Sequence, residues 1–458
     1  MAGDQAMAGA APVRLDRAHR VALGGLLALY LLLGLRLLFL LPLWGGVSDE
    51  AMHFGFCKYI AVRGTLPLIG EGYFPDTRSL YTDPGAGEAA HHPPGYYFLG
   101  SLVYRLVSHR SLTTQNYAIR LMSLLLGLAA VLSTYAFVRE TLPEQPDVAL
   151  AAVAGMAVFP HWLMMSSVIY VEVCGGAALM GALWLLARYR RDPARVGSLL
   201  GAGVLTGLLA LTKMTMLPFC LALTWIAVTA AWRASPHAAR RLRDVAVFLA
   251  AAAAVSLWWY VRNVQLYGQL FPTSVVAGQL ASSIKVNGGP ADMVTLLFIP
   301  MGRFYYWLAL TGTFHYFWGP DDWLPDGCRP WCFTLAALTW VMVPPGLWRA
   351  VRAREVGEFW RTYGRPFVAA LVLLFFFYLR WTVTTAIQAK AEFGKFIMPS
   401  FGLCTVLFAL AATSLVGTRR MGWVVGAFVV FFLCWDLITF HHLATVLIPR
   451  YVPLVPVP

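Results

Sequence analysis

Residues 21–67 read VALGGLLALYLLLGLRLLFLLPLWGGVSDEAMHFGFCKYIAVRGTLP: a long apolar run, an acid pair, then a shorter helical pattern. A bilayer crossing needs about 20 apolar residues, and the run supplies them. Its length and the lack of a small-residue cleavage site mark it as a span rather than a signal peptide. The composition of the chain repeats that message. Of 458 residues, 59% are hydrophobic and only 12% charged, with mean hydropathy +0.65. Such a chain cannot cover its surface with polar groups in water, so soluble folds, coiled coils and disorder are excluded. The net charge of +13 fits cationic loops on one membrane face better than a nucleic-acid partner. The seven cysteines include no CxxC pair, so neither a zinc ribbon nor a disulfide scaffold is indicated.

Eleven spans are predicted, at roughly 21–43, 118–138, 149–166, 172–188, 198–212, 214–231, 245–263, 331–348, 366–386, 396–416 and 421–441. The stretch 198–231 can be read as a broken pair or as a single long helix with a re-entrant turn. With Arg14, Arg17 and Arg20 inside, alternation puts every short Arg-dense connection on the same side: Arg188 to Arg195, Arg233 to Arg243, Arg349 to Arg365, and Arg419 with Arg420. That is the positive-inside pattern. Two long outer segments remain, about 44–117 and 264–330, within one transmembrane domain covering 1–458. The expected architecture is all-α and polytopic, with a cytoplasmic N-terminus.

The first outer segment is predicted to hold two interfacial helices. Ser48 can cap a helix from Asp49 in which Met52, Phe56, Tyr59 and Ile60 recur at helical spacing, ending at Gly64. Asp49, His53 and Phe56 then share one face, with Glu50 beside them. The acids are either first-turn residues favoured by the helix dipole or a general base at the lipid–water boundary. The second helix follows EAAHHPPGYYFLGSLVYRLV, starting at Pro93–Pro94. Glu88, His91 and His92, with His53 and Glu50, could form a divalent metal site, but no HxxxH or HExxH spacing supports one. Hydrogen bonding in a polar cleft is preferred, and no cofactor is expected.

The order of these features resembles the GT-C superfamily of membrane glycosyltransferases, in its protein O-mannosyltransferase and lipid A aminoarabinose transferase branch. The resemblance rests on a span followed by Asp49–Glu50 and a nearby His, a GxLP turn, the PPxxYY segment, and a span opening AIRLMSLLLG (118–127). GLLALTKMTMLPF (207–219), WWYVRNVQLYGQLF (258–271), FHYFWG (314–319) and, in part, KAEFGKFIMPSF (390–401) also match. Phe393 and Lys395–Phe396 depart from the basic–Tyr pair usual in the last of these. The WWD signature of oligosaccharyltransferases is absent. The resemblance implies transfer from a polyprenyl-phosphate-linked sugar to a hydroxyl acceptor on the outer face, with Asp49 as the base and Glu50 its neighbour.

Single displacement on such a donor needs a carboxylate to take the acceptor proton and cations to hold the leaving phosphate. The outer helix ends supply Lys213, Arg262, Arg303, Lys390 and Lys395 as candidates. Each could instead snorkel to headgroups, or pair with an acid such as Glu172 or Glu392. His53, His91, His92, Tyr96 and Trp318 are further substrate-contact candidates, and Tyr73 and Tyr81 weaker ones. Trp307, His315, Tyr316, Phe317, Asp321, Asp322 and Trp323 suit either a carbohydrate acceptor or an aromatic belt, and Asp321–Asp322 is a rival acid pair. Trp323 and Trp331 fit the belt better. Arg36 and Arg380 are expected to pair within the bundle. The rival function is a transporter or flippase for a lipid-linked sugar, which would place its ionisable groups at mid-membrane and repeat its halves. High Ala, Arg and Gly usage points to a bacterial plasma membrane. The sugar and the acceptor, whether glycan, lipid or protein, are not legible.

Overall fold

The computed structural model describes residues 17–42, 50–69, 90–272, 317–318, 323–385 and 396–451. Every regular element among them is helical. In chain order these are α1 (Arg17–Leu40), α2 (Glu50–Arg63), α3 (Gly95–Val107), α4 (Leu112–Thr141), α5 (Pro146–Ala157), α6 (Pro160–Ser167), α7 (Val171–Arg191) and α8 (Val196–Ala210). After a short turn come α9 (Leu217–Ala234), α10 (Ala238–Tyr267), α11 (Arg329–Ala350), α12 (Arg354–Phe359), α13 (Arg365–Thr385), α14 (Phe401–Val416), α15 (Thr418–His442) and α16 (Ile448–Tyr451).

The eleven segments expected as spans all carry helix. Among the described residues eight helices are long and apolar enough to cross a membrane, or nine if the bent pair α5–α6 is one span. Helix α8 is a shorter apolar helix of 15 residues. The stretch 198–231 resolves into two helices, α8 and α9, separated by Leu211–Met216. Residues 149–166, expected as one straight span, are bent by 61° between α5 and α6. The cause is Pro160. It has no N–H to donate, and it drives Phe159 to an extended backbone at φ −81°, ψ 117°.

Helix α7 lies at the centre, packed on α4 and α8, while α8 in turn packs on α10. Two glycines set that last contact. A Cβ at Gly203 would lie 2.4 Å from the Phe248 carbonyl oxygen, and one at Gly207 would lie 2.5 Å from that of Ala252. Small residues four apart let two backbones approach in lipid, where no hydrophobic force drives helices together.

Three of the four Arg-dense connections, 188–195, 233–243 and 349–365, meet at one end of the bundle. Arg190 pairs with Glu358, Arg191 lies 3.5 Å from Glu140, and Arg233 lies 3.7 Å from Glu358. Buried Asp244 accepts from Tyr189 at 2.6 Å and from Arg243 at 2.7 Å, tying α7 to α10. For these three connections, the shared side read from the charges is matched by proximity in space. Arg36 does not follow expectation: it is exposed on α1 rather than paired inside. Its aliphatic stem can lie along lipid while the charge reaches the interface. The Arg380 side chain lies outside the described residues.

The two helices of the first outer segment form close to their predicted bounds. Helix α2 ends at Arg63, and Gly64 follows at φ 70°, a backbone that favours glycine. Helix α2 is more deeply seated than an amphipathic surface helix: Glu50, Ala51, His53 to Cys57, Tyr59 and Ile60 are all buried. Helix α3 buries Tyr96, Tyr97, Gly100, Ser101 and Tyr104, and exposes Phe98, Leu102 and Leu106. Those three, spaced by four, form an apolar outer stripe suited to the membrane interface.

Candidate functional site

The site is organised by an arginine within an apolar helix. Arg120 lies on α4 with a fully buried side chain. Its Nε and Nη2 each donate to Glu50, to Oε1 and Oε2, at 2.7 Å. Its Nη1 donates to the Leu38 and Leu41 carbonyls at 3.0 and 2.8 Å, and Nη2 to the Pro42 carbonyl at 2.9 Å. All five guanidinium N–H groups are therefore occupied. Three of the acceptors are carbonyls that the end of α1 leaves without helical partners, where a cation also complements the helix dipole.

Glu50 is thereby fixed as the first residue of α2. Its Oε1 also accepts from the Ile169 N–H at 3.1 Å. The sequence grouped Glu50 with Asp49 as catalytic. In the fold both Glu50 oxygens are held by Arg120 and no surface is exposed, so Glu50 fixes the chain rather than facing a cleft. Arg120 was not among the candidates. An isolated arginine inside AIRLMSLLLG was the available signal, because a charge at that depth needs a partner.

Ile169 belongs to the short link between α6 and α7, and this link together with the first turn of α7 reaches three groups. Its Ile169 N–H holds Glu50. The Tyr170 ring meets the His53 ring edge-on at 5.7 Å. Glu172, at the start of α7, accepts from Lys213 Nζ at 2.5 Å. Ile169 and Glu172 are three residues apart, so their Cα atoms are within about 10 Å.

His53 is buried and shares a 2.7 Å hydrogen bond between Nδ1 and the Tyr97 hydroxyl. Its ring lies 6.0 Å from that of His92, which in turn lies 4.0 Å from that of His91. The fold thus gathers the three expected histidines where α2 meets the start of α3. No group of three or more His, Cys, Asp or Glu among the described residues is placed to hold a metal ion. Helix α3 docks through Gly95, whose N–H donates to the Leu211 carbonyl at 2.7 Å. Tyr96, expected to contact substrate, is instead fully buried, and its hydroxyl bonds Ser123 at 2.7 Å. Burial pushes the Tyr96 phenol and the Cys57 thiol up, so both stay neutral.

Lys213 is buried in the turn before α9 and carries its ammonium 4.8 Å from the centre of the Phe396 ring. Arg262 is half-buried at the end of α10, 5.1 Å over the Trp259 ring, and donates to the Pro67 carbonyl at 3.3 Å. Its Nη1 is buried with no partner among the described residues. Two residues earlier, the Tyr260 hydroxyl donates to the Ala210 carbonyl at 2.8 Å, binding this end of α10 to the Lys213 turn.

Trp318 does not line an open surface. It stacks on Phe432 at 5.7 Å and 7°, inside a cluster with Phe159 and Phe317. Trp331 is 72% exposed, as an aromatic belt requires, whereas Trp323 packs partly against the core. Asp49, Arg303, Lys390 and Lys395 lie outside the described residues, as do Tyr73, Tyr81, Glu88, Trp307, His315, Tyr316, Asp321, Asp322 and Glu392.

Residues 91–260 match the family described as dolichyl-phosphate-mannose-protein mannosyltransferase. That range contains His91, His92, Arg120, Glu172 and Lys213. None of the curated proteins matches the chain. Among solved structures, ArnT from Cupriavidus metallidurans bound to undecaprenyl phosphate matches 96% of this chain and 80% of its own, at 14% identity and TM-score 0.55. The S. cerevisiae protein O-mannosyltransferase Pmt1-Pmt2 complex bound to the sugar donor matches 61% of this chain at 17% identity and TM-score 0.41, and this chain spans 38% of that one. The Archaeoglobus fulgidus oligosaccharyltransferase in complex with Zn and sulfate matches 92% of this chain and 52% of its own, at 14% identity and TM-score 0.45. The resemblance read from the sequence is therefore met. The chain has a GT-C-like all-helical membrane fold, shared with ArnT, with the mannosyltransferase family match lying in residues 91–260.

Proposed function

We propose that this protein transfers a sugar from a polyprenyl-phosphate donor to a hydroxyl acceptor by single displacement, at the outer face of a bacterial plasma membrane with its N-terminus in the cytoplasm. The observation that carries this reading is the shared link. Residues 169–172 hold Glu50 at one end and, through Glu172, Lys213 at the other. An acidic start of α2 and a lysine cation are thus fixed on one short piece of chain. Asp49 immediately precedes Glu50 and is the proposed base. It takes the acceptor proton as the oxygen attacks the anomeric carbon and the bond to phosphate breaks.

Lys213 and Arg262 are the proposed phosphate partners. The donor phosphodiester gains charge as it leaves, and preorganised cations lower the barrier by meeting that charge. Arg303, Lys390 and Lys395 are further proposed contacts, and His53, His91 and His92 are proposed to line the acceptor side of the cleft. The match to undecaprenyl-phosphate-bound ArnT supports a lipid-linked donor. The test is a transfer assay with purified protein in nanodiscs. Asp49→Asn is expected to abolish transfer while donor binding persists, and normal turnover in that variant would place the base elsewhere. Lipid extracts of a deletion strain are expected to accumulate a sugar-phosphate lipid.

A further inference from the structure

Four carboxylates are buried among the described residues: Glu50, Glu172, Asp244 and Asp436. Glu50 has Arg120 on both oxygens, and Asp244 has Tyr189 on one and Arg243 on the other. Asp436 lies within a span; its Oδ2 is likewise buried without a hydrogen-bond partner, but no cation among the described residues is paired with it. Glu172 alone among the four combines an ion pair on one oxygen with an unpaired second oxygen. Its Oε1 accepts from Lys213, whereas its Oε2 is buried and accepts from nothing among the described residues.

A buried, charged acceptor without a donor is costly, so this oxygen requires an explanation. The first turn of α7 favours a negative charge through the helix dipole. That accounts for an acid at position 172 but not for an oxygen lacking a donor. The lysine is under-used as well. An ammonium has three N–H groups. One reaches Glu172, the charge faces the Phe396 ring, and 11% of the Lys213 side chain remains exposed.

The two deficits are complementary. One group lacks a hydrogen-bond donor, and its partner has donors to spare. A phosphate alone would suit Lys213 but would leave Glu172 Oε2 unpaired and facing a like charge. A sugar phosphate supplies both parts, because hydroxyl donors sit on the ring beside the anomeric phosphate.

Building on the proposed function, we infer that Glu172 and Lys213 together read the junction of sugar and phosphate. Lys213 holds the phosphate, and Glu172 Oε2 accepts a hydrogen bond from a hydroxyl of the donor sugar. The pair then distinguishes donor from spent lipid. After transfer the lipid phosphate has lost the hydroxyl and gained negative charge, so Glu172 repels it and favours its release.

The experiment uses the full chain in nanodiscs and four probes: undecaprenyl phosphate, and undecaprenyl phosphate carrying mannose, glucose or arabinose. Wild type is expected to bind at least one sugar-bearing lipid more tightly than undecaprenyl phosphate. Glu172→Met should remove most of that preference, about 10-fold or more for a charge-assisted hydrogen bond. Its affinity for undecaprenyl phosphate should be unchanged or higher. Glu172→Gln, a smaller perturbation of the fold, should lose an intermediate share. Lys213→Met should weaken all four probes in parallel.

Parallel weakening of all four by Glu172→Gln would overturn the inference and make Glu172 a counter-ion of Lys213 only. A wild type that binds all four equally would overturn it too, while leaving a lipid-phosphate site standing. A wild type that binds none of them would remove the proposed function itself.

Discussion

Glu50 and Arg120 meet in a two-point ion pair from which both side chains are wholly excluded from solvent. Seventy residues apart in sequence, they join the start of α2 to α4, and through three carbonyls to the end of α1. Removing one partner of a buried pair leaves the other charged and uncompensated, at a cost of about 3–5 kcal/mol. Arg120→Met and Glu50→Gln are therefore expected to lower the unfolding temperature in detergent markedly. Arg120→Lys should not restore it, because an ammonium cannot serve five acceptors arranged for a planar fork. The double variant Glu50→Gln/Arg120→Met should be less destabilised than the two single effects added together. Wild-type melting of Arg120→Met would show that the pair contributes nothing.

The α8–α10 contact predicts sensitivity to added volume rather than to lost volume. At Gly203 and Gly207 even a Cβ would press on backbone oxygens of α10, which cannot yield like a flexible side chain. Gly203→Val or Gly207→Val should cost several kcal/mol in order of magnitude, as overpacking against an unyielding neighbour does. Gly197→Val, on the same helix with open space around it, is the control and should melt near wild type. Equal melting temperatures for all three would contradict the packing described.

Arg262 offers a test that separates phosphate binding from folding. Its buried Nη1 has no partner among the described residues, while Nη2 holds the Pro67 carbonyl. Losing one hydrogen bond to a charged group is worth about 1.5–3 kcal/mol, or roughly 10- to 100-fold in affinity. Arg262→Met should weaken undecaprenyl phosphate binding by that order. Arg262→Lys should recover part of it, since the charge returns without the fork. Unchanged lipid affinity in Arg262→Met would assign the arginine to the Pro67 contact alone.

A pH dependence follows at the opposite end of the bundle. Asp192 lies in the turn between α7 and α8, where the Arg195 guanidinium and the Ala194 N–H hold its carboxyl below the ordinary value. A carboxyl lowered on folding stabilises above its unfolded-state value, and that contribution is lost as pH falls through the lowered one. The pair is exposed, so the effect is small and salt-sensitive. The melting difference between wild type and Asp192→Asn should be greatest near neutrality and vanish at acid pH. A difference that grew on acidification would reverse the sign of the argument.

Much of the fold was legible in the chain, because lipid imposes a one-dimensional rule: about 20 apolar residues cross, and arginines collect on one side. The two interfacial helices were also readable, since Gly64 and Pro93–Pro94 are local stops and starts. The bend at Pro160 was readable in principle, from a proline within an apolar run. What escaped was long-range partnership. Arg120 looked like one charge in a span, and nothing local distinguishes a clamp from a catalytic group. Tyr96 and Trp318 have the chemistry of sugar-binding residues, and only packing turned them inward onto Ser123 and Phe432.

The sequence by itself determined that this is a helical membrane protein with an acid pair at the first loop and cations at helix ends. Hydropathy, charge asymmetry and backbone stops are properties of neighbouring residues. Only the tertiary structure decided that Glu50 is held by Arg120, that Glu172 holds Lys213, and that one short link serves both. A buried charge is stable only beside its partner, and which partner reaches it depends on how distant helices pack.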